Sequence, residues 1–424
     1  MESFNSIQFN NMKLLVFTVL ILISVVTSGQ QRFDPAANST FITDRADKRY
    51  VSSRAIAHRL LKNDDPLLKF RCSMDSMEFR AWQAHVYEAM GRLMKHPSLQ
   101  NLPMPKMVDS WERDGYRVEK WEAYPLPEAV VPYLILIPYG VDASHPAPAI
   151  LCIPGSGQTK ELLAGEPQLF STDKTFKPSD RAMARLYAKQ GYVAVAVDNP
   201  GSGETDDLES EAGGHGYDYS TVARSLLELD WSYLGYTSYI DLHILNWMKT
   251  QSTMRSDRLI VSGFSLGTEP LMALGILDKS IYAFVYNDFL CTTRERALVM
   301  TLPDNNGRRP WPNDISHLIP GFLRLFDFPD LVAALAPRPV ICTEGGMDRD
   351  FEIVKKAFEI VGAPENFTYY HYKKYQNPAN RTYLTKMPEG INRTTFFNLA
   401  NVDPANHYFK AEYILPWLKK ILEE

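Results

Sequence analysis

The order of short apolar runs and helical patterns predicts an α/β fold built on a mostly parallel, eight-stranded sheet with helices on both faces. Three observations carry that expectation. Eight strand-like runs rich in apolar and β-branched residues occur at 116–118, 130–137, 149–153, 192–197, 259–262, 282–286, 340–343 and 367–372. Helical patterns lie between most of them, at 180–190, 239–249, 266–277 and 351–361, with a last one at 408–422. Glycine turns follow several of the runs, as at Gly155, Gly201 and Gly345. Strands that alternate with helices place helices on the sheet faces and force parallel crossovers. In such sheets ligands bind outside the carboxyl ends of the strands.

The strands begin only near residue 115. Before them, 30–114 reads as a helical N-terminal extension. One helix is expected at 51–61. A second, at 76–95, repeats Phe79, Trp82, Val86, Met90 and Leu93 at three- and four-residue steps, which makes one apolar face. His96-Pro97 closes it, because proline cannot continue a helix. The reading therefore divides the chain into 1–29, 30–114 and 115–424.

Residues 1–29 read as a signal peptide. Lys13 precedes a short apolar run, 14–26, and small residues Thr27, Ser28 and Gly29 follow it. A spanning helix needs roughly 20 apolar residues, so the run predicts export, secreted or periplasmic, and not an integral membrane anchor. The 424 residues carry a net charge of −5, and no stretch is strongly basic, which argues against nucleic acid as a partner. Four cysteines without a CxxC pair give no cysteine-based zinc site. Cys152 and Cys342 fall in strand runs and read as buried thiols.

The chemistry centres on Gly263-Phe264-Ser265-Leu266-Gly267, between the strand 259–262 and a helix. A serine on a sharp strand-to-helix turn is exposed at the sheet edge, and glycines two positions to either side relieve crowding. The pattern alone is common; its place after a strand and before a helix gives it weight. A serine nucleophile needs a base, and the base an orienting acid. His407 sits in the loop before the last helix and is the expected base. Asp348, after the strand 340–343 and its glycine turn, is the expected acid. Glu344 and Asp288 are the alternative acids. Ser265, Asp348 and His407 then follow one another in the chain order this turn requires. Leu266 and either Ser156 or Gly157 should supply the backbone N–H groups that stabilise the oxyanion. Neither metal nor cofactor is called for.

The segments 152–157, 191–198, 263–267 and 345–348, together with His407, resemble the α/β-hydrolase superfamily across most of 115–424. The likeness is to its acetyl-xylan-esterase-like and dienelactone-hydrolase-like branch, a secreted carbohydrate esterase type. Many members have His-Gly after the third strand, where this chain has Pro154-Gly155. The resemblance implies a serine esterase acting on an acetyl or methyl ester of a polysaccharide or oligosaccharide. A serine peptidase of the same fold and a non-catalytic polysaccharide-binding protein are the alternatives. Three segments are too long to be simple connections, 201–238, 291–337 and 373–406, and could wall a cleft. Arg308, Arg309 and Trp311 lie in the second and are candidate substrate contacts. Tyr217, Tyr219 and Trp231 lie in the first.

Overall fold

The computed structural model describes residues 43, 45–167, 177, 179–206, 217–303, 307 and 313–423. The signal-peptide reading of 1–29 and the candidates Arg308, Arg309 and Trp311 lie outside these residues.

The sheet has nine strands: β1 (Lys106–Arg113), β2 (Tyr116–Ala123), β3 (Val131–Pro138), β4 (Ala147–Ile153), β5 (Val193–Ala196), β6 (Met254–Phe264), β7 (Ala283–Asn287), β8 (Val340–Cys342) and β9 (Phe367–Tyr369). Their order is β1-β2-β3-β5-β4-β6-β7-β8-β9. The pairs β1/β2, β2/β3 and β3/β5 are antiparallel, and every pair from β5 to β9 is parallel. The eight expected strands are β2 to β9. The ninth, β1, lies inside the stretch read as a helical extension, so the boundary at 114 is corrected: the sheet starts at Lys106. Strand β1 escapes pattern reading because it is an edge strand whose residues are almost all exposed. It carries charges instead of an apolar alternation, as unpaired edges commonly do.

Alternation along the central strands divides the core in two. On β4, Ile150 and Cys152 face one layer, while Ala149, Leu151 and Ile153 face the other. The first layer is covered by helices Met183–Lys189 and Ala411–Glu423, through Tyr187, Ile414 and Leu418. The second is covered by helices Tyr233–Met248, Thr268–Leu277, Phe328–Ala334 and Asp348–Ile360.

The N-terminal helices belong to this second layer. Helix Ser76–Met94 opens on a capping box, Asp75 with Glu78, and buries Phe79, Trp82, Val86 and Met90. Gln83 donates to the carbonyls of Ala334 and Ala336, both at 2.7 Å. The extension thus completes the main core instead of forming its own. All four cysteines are free, and Cys152, Cys291 and Cys342 are buried. Among the described residues no helix is long and apolar enough to cross a membrane.

From β4 the chain moves to β5 on one side, then returns to β6 on the other. The carboxyl ends of β4 and β6 therefore flank a topological switch point, where α/β sheets open a crevice. The loop 154–157 follows β4, and Ser265 follows β6. The long segment after β5 builds helix Tyr219–Glu228 and the start of Tyr233–Met248, which packs above the crevice beside Leu266.

Candidate active site

Ser265 stands at the turn from β6 into a short 3-10 turn, Ser265–Gly267, that runs on into helix Thr268–Leu277. Its φ is +51°, a left-handed conformation rare outside glycine. Such a backbone costs about 1–3 kcal/mol and is retained where the surroundings over-determine it. The flanking glycines make the turn possible. A Cβ on Gly263 would stand 2.3 Å from the Gly267 carbonyl oxygen, and one on Gly267 would stand 2.4 Å from that of Ile153. Leu266 is the second residue of the turn, where helix N–H groups lack partners along the helix.

The loop after β4 runs beside this turn. A Cβ built on Gly155 would lie 3.1 Å from Ser265 Cβ. One interaction separates the expected donors. The Gly157 N–H donates to Tyr219 Oη at 3.1 Å, so of the pair Ser156 and Gly157 the second is already engaged. The loop is held from beneath by Asn199, whose Nδ2 donates to the Pro154 carbonyl at 3.0 Å. Lys160, fully buried at the start of the next helix, holds its far end. Its backbone N–H donates to Asp198 Oδ1 at 2.7 Å. Its Nζ meets Asp198 at 2.8 Å, Glu161 at 2.7 Å and Glu204 at 2.6 Å. Burial works against the ammonium, but these carboxylates outweigh it and hold Lys160 above its ordinary pKa.

His407 stacks on Phe264, the residue before Ser265, with ring centroids 4.6 Å apart. Its Nδ1 is hydrogen-bonded to Glu344 Oε2, not to Asp348. The expectation that Asp348 orients His407 is therefore corrected. Asp348 is the first residue of helix Asp348–Ile360, and its oxygens accept from His371 Nε2 at 3.1 Å and Arg381 Nε at 3.0 Å. The physical reason lies in the turn after β8. Glu344 precedes Gly345 and Gly346, both with positive φ, and the chain reverses there. Gly345 is pinned on both sides, its N–H to the Tyr370 carbonyl and its carbonyl to the Leu290 N–H, each at 3.0 Å. Glu344 is left at the strand end, while Asp348 starts the helix on the far side of the turn.

Glu344 is completely buried, and its oxygens have four donors. Oε1 accepts from the Tyr408 N–H at 3.0 Å and pairs with Lys410 Nζ at 3.2 Å. Oε2 accepts from Tyr372 Oη at 3.0 Å and faces His407. A buried carboxylate is sustained by this kind of full satisfaction. Burial pulls the His407 imidazole down, but the hydrogen bond and charge of Glu344, joined by Asp288, overcome it and leave the pKa above its ordinary value.

Asp288, half-buried after β7, is the third carboxylate of the region. Burial pushes its carboxyl up to about 7, and the nearby Glu344 adds repulsion to a smaller extent than His407 offsets. Asp288, Glu344 and His407 each bring one ligand-type atom within 4.8 Å of the others. Tyr372, His407, Lys410 and the Tyr408 N–H already occupy Glu344, so Glu344 is the centre of a hydrogen-bond network with Asp288 beside it as a second nearby carboxylate. Among the described residues no hydrogen bond joins Ser265 Oγ to His407. Contacts of that kind often tighten only when substrate is bound.

Beside His407 lies a cleft of about 270 Å³, lined by Gln158, Arg181, Met183, Phe264 and Tyr408 among others. Arg181 stacks over the Tyr408 ring at 3.7 Å. The arrangement brings together a half-buried serine on a strained turn, a carboxylate-held imidazole and a loop of backbone N–H groups, at the switch point among the parallel strands.

The Abhydrolase family model matches residues 32–420. No curated protein matches. A protein from Bacteroides fragilis NCTC 9343, solved as a "putative acetyl xylan esterase", is 53% identical, covers 92% of this chain and 100% of its own, and superposes with a TM-score of 0.88. A structure named as a methylesterase is 16% identical, with 88% of this chain and 81% of that one covered and a TM-score of 0.50, a likeness of fold alone.

Proposed function

Since the chain belongs to the Abhydrolase family and is an α/β-hydrolase, we propose that it is an exported serine esterase cleaving an acetyl ester on a carbohydrate. The observation that carries this is the His407–Glu344 pair stacked against Phe264, one residue from Ser265 on its left-handed turn. The 53% identical relative supports the acetyl group and the sugar. The apolar run before Thr27 supports export.

In this reading Ser265 Oγ attacks the ester carbonyl carbon, and His407 Nε2 takes the hydroxyl proton. Glu344 holds the Nδ1–H, fixes the tautomer and stabilises the imidazolium as it forms. The N–H groups of Leu266 and Ser156 take the charge that grows on the carbonyl oxygen. The tetrahedral intermediate collapses, the sugar oxygen leaves with the proton from His407, and an acyl-Ser265 ester remains. Water, deprotonated by His407, attacks that ester; the Ser265–acyl bond breaks, Ser265 Oγ takes the proton back from His407, and the carboxylic acid is released. The turn supplies the geometry and the buried carboxylate the basicity.

Ser265→Ala should lower hydrolysis of 4-nitrophenyl acetate and acetate release from acetylated xylan by about 10⁴-fold or more. It should also abolish labelling by a fluorophosphonate probe. Full activity in the purified variant would overturn the mechanism.

A further inference from the structure

Tyr217 is a large aromatic residue left half-exposed, at 52%, against the loop that follows β4. One face of its ring stacks on Tyr219, with centroids 4.6 Å apart and planes 28° from parallel. Tyr219 is buried and leans on Tyr233 at 5.5 Å, and Tyr233 is anchored through its hydroxyl to the Pro200 carbonyl at 2.8 Å. The three rings form a column from the core to the surface. Its outer ring rests on Gly157: a Cβ built there would stand 2.8 Å from Tyr217 Cε1. Gly157 also has φ of +71°, so this position demands glycine twice over. The hydroxyl oxygen of the middle ring accepts the Gly157 N–H.

The column is therefore tied to the candidate active site by contact. Gly155, two residues earlier, is the residue that touches Ser265. Chain dimensions put the Tyr217 ring no more than about 16 Å from Ser265 Cβ, within the span of a short oligosaccharide. A ring stacked in advance on a buried neighbour that is itself held by a third ring has little rotamer freedom left to lose when something binds to it. An aromatic face carries negative charge and its edge positive, so it attracts the polarised C–H groups of a pyranose or furanose ring, which are themselves apolar on one face.

We propose that Tyr217, backed by Tyr219 and Tyr233, is a sugar-stacking platform that holds the carbohydrate portion of the ester while Ser265 attacks its acyl group. This deepens the esterase reading and rests on it. Tyr217 acts on substrate selection and not on bond cleavage. A small ester without a sugar does not reach the platform and gains nothing from it.

The test compares Tyr217→Ala and Tyr217→Trp with the wild-type chain on two substrates, 4-nitrophenyl acetate and acetylated xylo-oligosaccharides. Tyr217→Ala should lower kcat/KM on the oligosaccharide about tenfold, mainly through KM, and leave the aryl ester unchanged. Tyr217→Trp should keep most of the oligosaccharide activity. Equal losses on both substrates would make Tyr217 a support of the loop and overturn the platform. So would no loss on either, or a wild-type chain that cleaves the aryl ester but no acetylated oligosaccharide. The esterase reading fails separately, if aryl ester cleavage survives in Ser265→Ala.

Discussion

Lys160 and Glu344 are both fully buried charged residues at the crevice end of the sheet, and their surroundings differ in one respect. Lys160 is met by carboxylates alone: Asp198, Glu161 and Glu204, the last also paired with Lys120 at 2.5 Å. That set joins Lys160 to Asp198 and Glu204, and so ties the loop after β4 to the loop after β5. Glu344 is met by Tyr408, Lys410, Tyr372 and a histidine, and the histidine can gain or lose a proton near neutrality. Two networks of similar burial thus do different work. One fixes backbone, and the other sets the basicity of an imidazole. The sign of the central charge decides which: a buried ammonium calls for carboxylates, whereas a buried carboxylate calls for donors, and one of those can be an imidazole.

The largest effect should come from breaking the second network at its centre. Glu344→Gln keeps the shape but removes the charge that favours the imidazolium. It should lower kcat about 10²–10⁴-fold on an aryl acetate. Asp348→Asn should change kcat less than tenfold, because Asp348 serves His371 and Arg381. Steady-state kinetics on the two variants decides between the carboxylates. A greater loss in Asp348→Asn would return the acid role to it.

Next is the first network. Lys160→Met leaves Asp198, Glu161 and Glu204 without their shared cation. The expected cost is about 3–5 kcal/mol of stability, read by denaturant unfolding. If the variant is as stable as wild type, the cluster does not fix the two loops as argued.

The smallest effect should sharpen the comparison by titration. In the proposed mechanism His407 must be neutral to take the serine proton, so kcat/KM should fall as the pH drops through its pKa. Because that pKa is raised, the acid limb should lie above the ordinary value of about 6.5. Asp288 contributes part of the raising charge. Asp288→Asn should therefore move the limb to lower pH, by less than about one unit, with kcat at pH 8 changed less than threefold. A limb that moves up, or a hundredfold loss at pH 8, would place Asp288 inside the chemistry.

The local sequence determined much of this protein. Continuous apolar and β-branched runs with helical patterns between them gave the sheet, because strands covered on both faces are apolar along their whole length. The strand, the glycines and the helix around Ser265 announced the turn, since that geometry is made by five consecutive residues. His407 stood out by its place before the last helix. Strand β1 was not legible, because an exposed edge carries no apolar alternation. The pairing of His407 was not legible either. Glu344 and Asp348 are four residues apart, both acidic, and both follow the same strand. Only the reversal at Gly345 and Gly346, pinned by Leu290 and Tyr370, turns one toward His407 and sends the other to Arg381. The same holds for the engagement of Gly157 by Tyr219, which joins residues from two loops. Spacing along a chain encodes which face a residue takes in its own element. Which of two neighbouring carboxylates meets a distant imidazole is set by contacts between elements, and those exist only once the sheet has brought their ends together.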